Sequence, residues 1–272
     1  MRRTAAAALV AVLAAIAAGC GSDLGPASTP AAVPVRIQLA QAAPGLAAGV
    51  RDAIALIGAV RVSSTADADL VVTDTPGAAA AAARTNPGTH VLLLGPRPTE
   101  ALAPNVRVVE YDRGDLAYMA GALAALEAPS IAVAEPGSIL AGAFRAGADA
   151  VRQGAAVATV SCGATTSAQV VYIPAPTCRP DAAGAQVIAP DRLAGAHMLG
   201  LLGPRPAVVV AETARSVQDG IFQPGIALEG LRDDAVGFAW ISPALPPAAV
   251  RRLQDVEDTV RAETAPVPTI AP

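Results

Sequence analysis

Cys20 is the residue whose chemistry the sequence defines most sharply. It directly follows the small residues Ala17-Ala18-Gly19, and Arg2-Arg3 and an apolar run from Ala5 to Ala18 precede it. A charged start, a short apolar stretch and small residues at a cleavage point are typical of a secretory signal. A cysteine directly after the cut is what a bacterial lipoprotein signal requires, because the thiol takes the lipid. We therefore expect residues 1–19 to be a signal peptide and Cys20 to be lipidated.

Two other interpretations of this segment stay open. The first is an ordinary secretory peptide in which the cysteine is incidental. The second is a transmembrane helix, but the apolar run Ala5–Ala18 is shorter than the roughly 20 residues that a span requires. The lipoprotein interpretation is therefore the one that we carry forward.

Cys162 and Cys178 are the remaining cysteines once Cys20 carries a lipid. An exported chain lies in a compartment where disulfides persist. The sequence therefore predicts a Cys162–Cys178 disulfide, which would contribute about 3 kcal/mol by closing a short loop. The alternative is a pair of free, buried thiols.

The stretch Ser161-Cys162-Gly163 is the nearest approach to a nucleophile site. A disulfide partner for Cys162 is a simpler explanation than a catalytic histidine. The sequence has no Gly-x-Ser-x-Gly elbow, P-loop or metal motif. The two histidines, His90 and His197, are expected to be structural, in a strand and a short helix respectively. We therefore expect no enzymatic activity, no cofactor and no metal.

Polar turns that follow apolar strands are the candidate ligand contacts. They are Asp74–Gly77, Gly95–Arg97 and Glu135–Ser138. Ligands of open parallel sheets bind beyond the carboxyl ends of the strands, where such turns lie. The side chains that we single out are Asp74, Thr75, Glu135 and Ser138. The competing interpretation is that each is a helix cap or turn residue, because Asp and Ser favour caps regardless of function.

Composition narrows the class of partner. The chain has 272 residues, with 19 basic and 23 acidic side chains and a formal charge of −4. No basic tract is present, so nucleic acid is not an expected partner. The chain is 53% hydrophobic but only 3% aromatic, which predicts a core of alanine, valine and leucine. Tyr111 and Phe144 are expected to pack in that core, although an aromatic residue could also face a ligand.

The elements that must position these residues alternate between strands and helices. Residues 20–33 are predicted to be a flexible tether, because they are rich in Gly, Ser, Pro and Ala. The fold is then expected over 34–272. Its first half is predicted to hold strands at Val35–Leu39, Val60–Ser63, Leu70–Thr73, His90–Leu94, Val106–Tyr111, Ile131–Ala134 and Ala156–Ser161. Helices are predicted at Leu46–Ile57, after Gly77 through Arg84, at Asp115–Leu126 and at Ile139–Gln153.

The second half is predicted to have strands at Val170–Ile173, Gln186–Ile188, Ala207–Ala211 and Ala235–Ile241, with helices at Leu193–Leu202 and Pro246–Glu263. Arg113 and Asp115 are expected to cap the helix that they begin. Continuous apolar strands alternating with helices indicate an α/β fold with mainly parallel sheets that helices cover on both faces.

Three stretches of the chain, in this order, resemble the basic membrane protein family, the lipoprotein substrate-binding components of nucleoside-type ABC importers. The first is Ala68–Gly77 with Asn86–Leu94. The second runs from Arg113 to Leu126 and on through Ser130–Gly137 and Gly142–Val151, where a helix has two spaced glycines around an aromatic residue. The third is Gly230–Ala239, with the prolines of Leu245-Pro-Pro247, the final helix and the proline-rich tail.

This resemblance implies a type I periplasmic-binding-protein fold with two α/β lobes and a ligand in the cleft between them. Lobe 1 is expected at about 34–128 together with C-terminal crossing segments, and lobe 2 at about 129–242. The implied partners are a nucleoside-like small molecule and an ABC permease. The implied location is the extracytoplasmic face of a cell membrane, with the anchor at Cys20.

A second class of function is compatible with the same fold. The loop Ala40–Gly45 has neither the carboxylate nor the aromatic residue with which the family holds its nucleoside. The alternative hypothesis is therefore an envelope lipoprotein with a degenerate binding fold, acting as a sensor or interaction protein rather than in transport.

Overall fold

The computed structural model describes residues 33–134, 139–175, 177–265, 267 and 270. The predicted signal peptide, Cys20 and nearly all of the predicted tether lie outside the described residues. The same is true of two candidate contacts, Glu135 and Ser138. Among the described residues, no helix is long and apolar enough to cross a membrane.

Twelve strands and six α-helices alternate along the described part of the chain. In order they are β1 (Arg36–Leu39), α1 (Pro44–Ile57), β2 (Val60–Val62), β3 (Leu70–Thr73), α2 (Pro76–Thr85), β4 (His90–Leu94), β5 (Val106–Tyr111), α3 (Arg113–Glu127), β6 (Ser130–Ala134), α4 (Ile139–Val151), β7 (Ala156–Val160), β8 (Val170–Tyr172), β9 (Gln186–Ala189), β10 (His197–Pro204), α5 (Pro206–Gln218), β11 (Gly225–Glu229), β12 (Val236–Ile241) and α6 (Pro247–Arg261). A short 3-10 helix lies at Thr65–Asp67.

The strands form two six-stranded sheets, one in each lobe. Sheet 1 has the order β11-β5-β4-β3-β1-β2 and is parallel throughout. Sheet 2 has the order β12-β10-β9-β8-β6-β7, in which only β12 is antiparallel to its neighbour. The predicted α/β fold with mainly parallel sheets is thus confirmed.

Each lobe has its own apolar core on the faces of its sheet. All four residues of β3 are buried, as expected of a strand that helices cover on both sides. Val209, Val210 and Ala214 of α5 pack with α1 in the core of lobe 1. In lobe 2, α3 contributes almost every residue to the core and packs against α4, β8 and α6.

The chain crosses between the lobes at three places. It leaves lobe 1 between β5 and α3, returns between β10 and α5, and leaves again between β11 and β12. Backbone hydrogen bonds join the crossings: Asp112 N donates to Glu229 O at 2.9 Å, and Arg205 N donates to Ala235 O at 2.7 Å. The crossings therefore lie side by side and form a hinge.

Two predicted elements have the wrong type. Residues Leu193–Leu202 were expected to be helical, but their second half is strand β10, and His197 is an exposed strand residue. The segment Ala207–Ala211 was expected to be a strand, but it lies inside α5. Both are short apolar runs, and a run of that length does not distinguish a buried helix from a buried strand. Strand β11 was not expected.

The structure also divides the lobes differently from the expected division at 128 and 129. Helix α3 begins immediately after the first crossing and packs in lobe 2, whereas α5 returns to lobe 1. The physical reason is that the apolar surface of α3 is buried against α4 rather than against sheet 1.

The predicted disulfide is confirmed. Cys162 and Cys178 are bonded with an S–S distance of 2.04 Å and a Cα–Cα distance of 4.7 Å. The bond joins the loop after β7 to the loop after β8, in lobe 2.

Candidate functional site

A cavity of about 330 Å³ lies between the lobes, at the carboxyl ends of strands from both sheets. Lobe 1 lines it with Gly95 and Pro96 after β4 and with Val109, Glu110 and Tyr111 of β5. Helix α3, which packs in lobe 2, adds Arg113 and Leu116. Lobe 2 lines it with Tyr172, Pro174, Pro190, Leu202, Gly203 and Pro204. This is the position where open parallel sheets bind their ligands.

A second cavity of about 320 Å³ adjoins the first. Both are lined by Tyr111, Pro190, Gly203 and Pro204. The second cavity adds residues from the starts of α1 and α5, from the ends of β3 and β4, and from lobe 2, namely Gly45, Leu46, Asp74, Leu94, Asp191, Pro206 and Ala239. Because they share these four residues, the two cavities together form one interlobe cleft.

Asp74, one of the predicted contacts, lines the smaller cavity. Its carboxylate accepts a hydrogen bond from Ala43 N at 2.8 Å and lies 3.2 Å from the hydroxyl of Thr75. The Thr75 hydroxyl also lies within 3.3 Å of the carbonyl of Gln41. Asp74 thus holds the loop that leads into α1 and faces the cleft at the same time.

Thr75 lines neither cavity. It occupies the N-cap position of α2, and its hydroxyl contacts the loop before α1. The structure therefore places Thr75 as a turn residue next to the cleft. It brings Asp74 and the predicted turn Gly95–Arg97 to the cleft, with Gly95 and Pro96 in the wall of the larger cavity.

Glu110 is the carboxylate in the wall of the larger cavity, and Arg97 binds both of its oxygens. Arg97 Nε and Nη2 donate hydrogen bonds to these oxygens at 3.0 and 2.7 Å. This bidentate pairing is the main reason why the pKa of Glu110 lies below its usual value. The pair is neutral as a unit, so Glu110 has no strong preference left for a cationic ligand.

Tyr111 presents its ring to both cavities, and its hydroxyl oxygen is buried without a hydrogen-bond partner among the described residues. Burial, together with the charge of Glu229 on the neighbouring strand, raises the pKa of Tyr111. The carboxylate of Glu229 itself accepts a hydrogen bond from Arg107 Nη2 at 2.7 Å. The phenol is therefore neutral at any physiological pH, and Tyr111 adds no charge to the cleft.

Arg113 and Asp115 do not cap α3, contrary to the sequence-based expectation. The cap is Asp112, whose carboxylate accepts a hydrogen bond from Gly114 N at 2.7 Å. Asp115 instead accepts a hydrogen bond from Leu231 N at 2.8 Å, in the third crossing. The side chain of Arg113 is exposed and lines the larger cavity.

Of the two aromatic residues expected to be core, Phe144 is fully buried in lobe 2 and Tyr111 lines the cleft. The ring of Phe144 lies parallel to that of Tyr172, with the centroids 6.1 Å apart. Sequence reasoning missed Tyr172 and the prolines after β8, β9 and β10. The signal that was available for them is a Tyr or Pro directly at the end of an apolar strand.

The described residues hold no group of three or more His, Cys, Asp or Glu side chains that could bind a metal ion. Cys162, the nearest approach to a nucleophile, has its sulfur in the disulfide.

No protein-family model matches the chain, and no curated protein matches it. Solved structures do. An ABC transporter solute-binding protein from Conexibacter woesei matches with a TM-score of 0.66 and 17% identity, over 88% of this chain and 99% of its own. A transcriptional activator of the comK gene from Bacillus halodurans matches with a TM-score of 0.62 and 14% identity, over 84% and 98%.

A solute-binding protein of an ABC transporter system from Aeropyrum pernix matches with a TM-score of 0.52 and 14% identity, over 85% of this chain and 92% of its own. Likeness at such identities shows the fold. The fold is the two-lobed α/β architecture of type I periplasmic-binding proteins, which the resemblance to the basic membrane protein family implied.

Proposed function

We propose that this chain is a lipid-anchored, extracytoplasmic solute-binding protein that holds a small molecule between its lobes and delivers it to an ABC importer. The observation that carries the proposal is the cleft. It is lined from both lobes, at the carboxyl ends of their strands, by residues on either side of a three-stranded hinge. A cleft of this kind holds its ligand most tightly when both lobes contact it.

The lipid anchor rests on the sequence alone. Cys20 follows the small residues that a signal peptidase needs. Expression of the wild type and of Cys20→Ala in a bacterial host with a labelled fatty acid tests the proposal. We expect label and membrane association for the wild type and neither for the variant. Equal labelling of both chains would refute lipidation at Cys20.

The finer proposals are a nucleoside-like ligand and a dedicated ABC permease. Both come from the resemblance to the basic membrane protein family. A planar ring fits a wall that contains Tyr111 and Tyr172, one from each lobe. Nucleosides are therefore the first compounds to test, and loss of uptake of the bound compound when the gene is deleted would support the importer.

Thermal unfolding with a panel of nucleosides, sugars and amino acids tests the binding function. A ligand at a hundredfold excess over its Kd stabilises the folded state by about 2.7 kcal/mol. Gly203→Leu is the matched blocking variant, because Gly203 lines both cavities and a Cβ atom there would lie 3.3 Å from Cβ of Pro190. Gly142→Leu is its control, because a Cβ atom there meets nothing within 4 Å.

We expect the stabilising compound to act on the wild type and on Gly142→Leu, but not on Gly203→Leu. A compound that stabilises all three chains equally binds elsewhere. If no compound of the panel stabilises the wild type, the transport proposal fails.

The alternative function is that of an envelope sensor or interaction lipoprotein with a remodelled cleft. The loop Ala40–Gly45 favours it, since the loop brings neither a charged nor an aromatic side chain to the cleft and only Gly45 lines the smaller cavity. Transcriptional regulation by a structurally similar protein from Bacillus halodurans shows that such a fold is used outside transport.

A further inference from the structure

Arg113 is the charged residue of the larger cavity that has no hydrogen-bond or ion-pair partner among the residues that the structure describes. The other charged residue of the wall, Glu110, has both oxygens bound by Arg97. A guanidinium group offers five N–H donors in a planar fork that matches a carboxylate. The unpaired charge of this cavity is therefore positive, and the planar guanidinium of Arg113 suits an anionic group with two oxygens.

The smaller cavity has the opposite charge. Asp74 and Asp191 line it, and the described residues provide no arginine in its wall. Tyr111, whose phenol is neutral, lines both cavities and adds no charge to either. An anionic group is consequently repelled from the side of Asp74 and attracted to the side of Arg113.

The rest of the larger cavity is apolar. Two tyrosine rings and four prolines, Pro96, Pro174, Pro190 and Pro204, contribute to its wall. Proline has no backbone N–H to donate. A hydroxyl group that leaves water without finding a partner costs free energy, so this wall is a poor match for a ribose or a sugar. It is a good match for a ring with few polar groups.

We propose that the cleft binds a ring-containing monocarboxylate, with the carboxylate on the guanidinium of Arg113 and the ring against Tyr111, Tyr172 and the prolines. The inference rests on the proposed solute-binding function, and for the same cleft it replaces the nucleoside-like ligand, which came from the family resemblance, with another ligand class. The volume of about 330 Å³ lies at the lower end of the roughly 300–1,000 Å³ of small-molecule pockets, so a ligand of one or two rings fits.

The test is calorimetric titration of the whole folded chain with benzoate, 4-hydroxybenzoate and phenylacetate. Each is compared with its neutral amide, with benzylamine, and with adenosine and uridine. Arg113→Gln removes the charge at similar length. Arg51→Gln is the matched control, because Arg51 is exposed on α1 and lines neither cavity.

We expect a carboxylate to bind at least about tenfold more tightly than its amide, and Arg113→Gln to weaken it by at least about tenfold, since hydrogen bonds to charged groups contribute that much. Added salt should weaken the binding of the wild type more than that of Arg113→Gln. Arg51→Gln should bind like the wild type. Thermal unfolding of Arg113→Gln checks that this exposed substitution leaves the fold intact.

Equal binding of amide and carboxylate, or an unchanged affinity in Arg113→Gln, overturns the inference. Binding of the nucleosides, or of benzylamine, without binding of any carboxylate also overturns it but leaves the solute-binding function standing. If neither these compounds nor the wider panel of nucleosides, sugars and amino acids binds, both proposals fail together.

Discussion

The contact between α3 and α4 leaves no room for a side chain at two glycines, and this makes a sharp stability prediction. A Cβ atom at Gly121 would lie 2.8 Å from the carbonyl carbon of Phe144, with its oxygen closer still. A Cβ atom at Gly147 would lie 2.6 Å from the carbonyl carbon of Tyr118. Carbon atoms in contact normally lie about 3.5–4.0 Å apart. The helices would have to separate by roughly 1 Å to accept either alanine.

The cost of Gly121→Ala follows from the atoms involved. Inserting a methyl group into a packed core typically costs about 1–3 kcal/mol. Here the obstacle is main chain, which has no alternative rotamer, so we expect a value near the upper end of that range. Alanine recovers about 0.5–1 kcal/mol through its higher helix propensity. The net loss is about 2 kcal/mol, which for a domain of this size lowers Tm by about 4–8 °C.

Gly142→Ala is the matched control. Gly142 lies in the same helix as Gly147, and a Cβ atom there meets nothing within 4 Å. This change should therefore stabilise the fold by about 0.5–1 kcal/mol. Thermal unfolding followed by circular dichroism compares the three chains. If Gly121→Ala unfolds at the same temperature as Gly142→Ala or higher, the close approach of the two helices is wrong.

Two further predictions concern lobe 2 and the cleft wall. Reduction of the Cys162–Cys178 disulfide, whose cysteines are 16 residues apart, should destabilise the fold by about 3 kcal/mol and lower Tm by about 6–12 °C, measured with and without dithiothreitol; full reduction by mass with unchanged Tm would contradict it. Arg97→Gln should destabilise the fold at neutral pH, because the pKa of Glu110 is held below its usual value by Arg97. That stabilisation is present above the usual pKa of glutamate, and it is lost as the pH falls through the lowered pKa of Glu110. The difference in the free energy of unfolding between wild type and Arg97→Gln, measured in urea, should therefore shrink between about pH 5 and pH 3. A difference that stays constant or grows toward acid pH, with Arg51→Gln as the reference, would contradict this.

The first half of the fold was predictable because its signals are strong. Strands β3 and β4 were predicted residue for residue, since each is a short apolar run, one ending before Asp74 and the other before Gly95. The helix with spaced glycines was predicted as α4. Neither residue composition nor periodicity indicates that Gly147 faces Tyr118, because that depends on how two helices pack.

The second half was less predictable because its elements are short. Strand β10 contains Gly200, where a Cβ atom would lie 3.0 Å from Leu123 and 3.3 Å from Phe238. Glycine in an apolar run also occurs where helices pack closely, as Gly121 and Gly147 do, so it did not identify a strand. In α5, Val208, Val209 and Val210 favour a strand by local propensity, but burial against α1 determines their conformation. Local sequence patterns therefore could not predict that α5 packs in lobe 1.

The part of the site that lies directly after the ends of parallel strands could be predicted from the sequence. Asp74 and the turn after β4 lie in the cleft because parallel strands end at one edge of their sheet. Tyr111 and Arg113 were assigned to core and cap, since local sequence cannot show that the chain leaves lobe 1 between them. The crossing carries both side chains into the space between the lobes.

The position of α3 connects ligand contact to lobe movement. Arg113 lines the cleft, and two residues on the same turn form hydrogen bonds with the third crossing. Asp112 N donates to Glu229 O, and the carboxylate of Asp115 accepts from Leu231 N. The glycine contacts fasten α3 to α4, so the helix cannot shift without lobe 2. Any change in the angle between the lobes must then be absorbed where β5, β10 and β11 end. A ligand that contacts both Tyr111 of lobe 1 and Arg113 of lobe 2 spans the crossing at the end of β5. Its binding therefore favours the angle between the lobes at which both contacts are made.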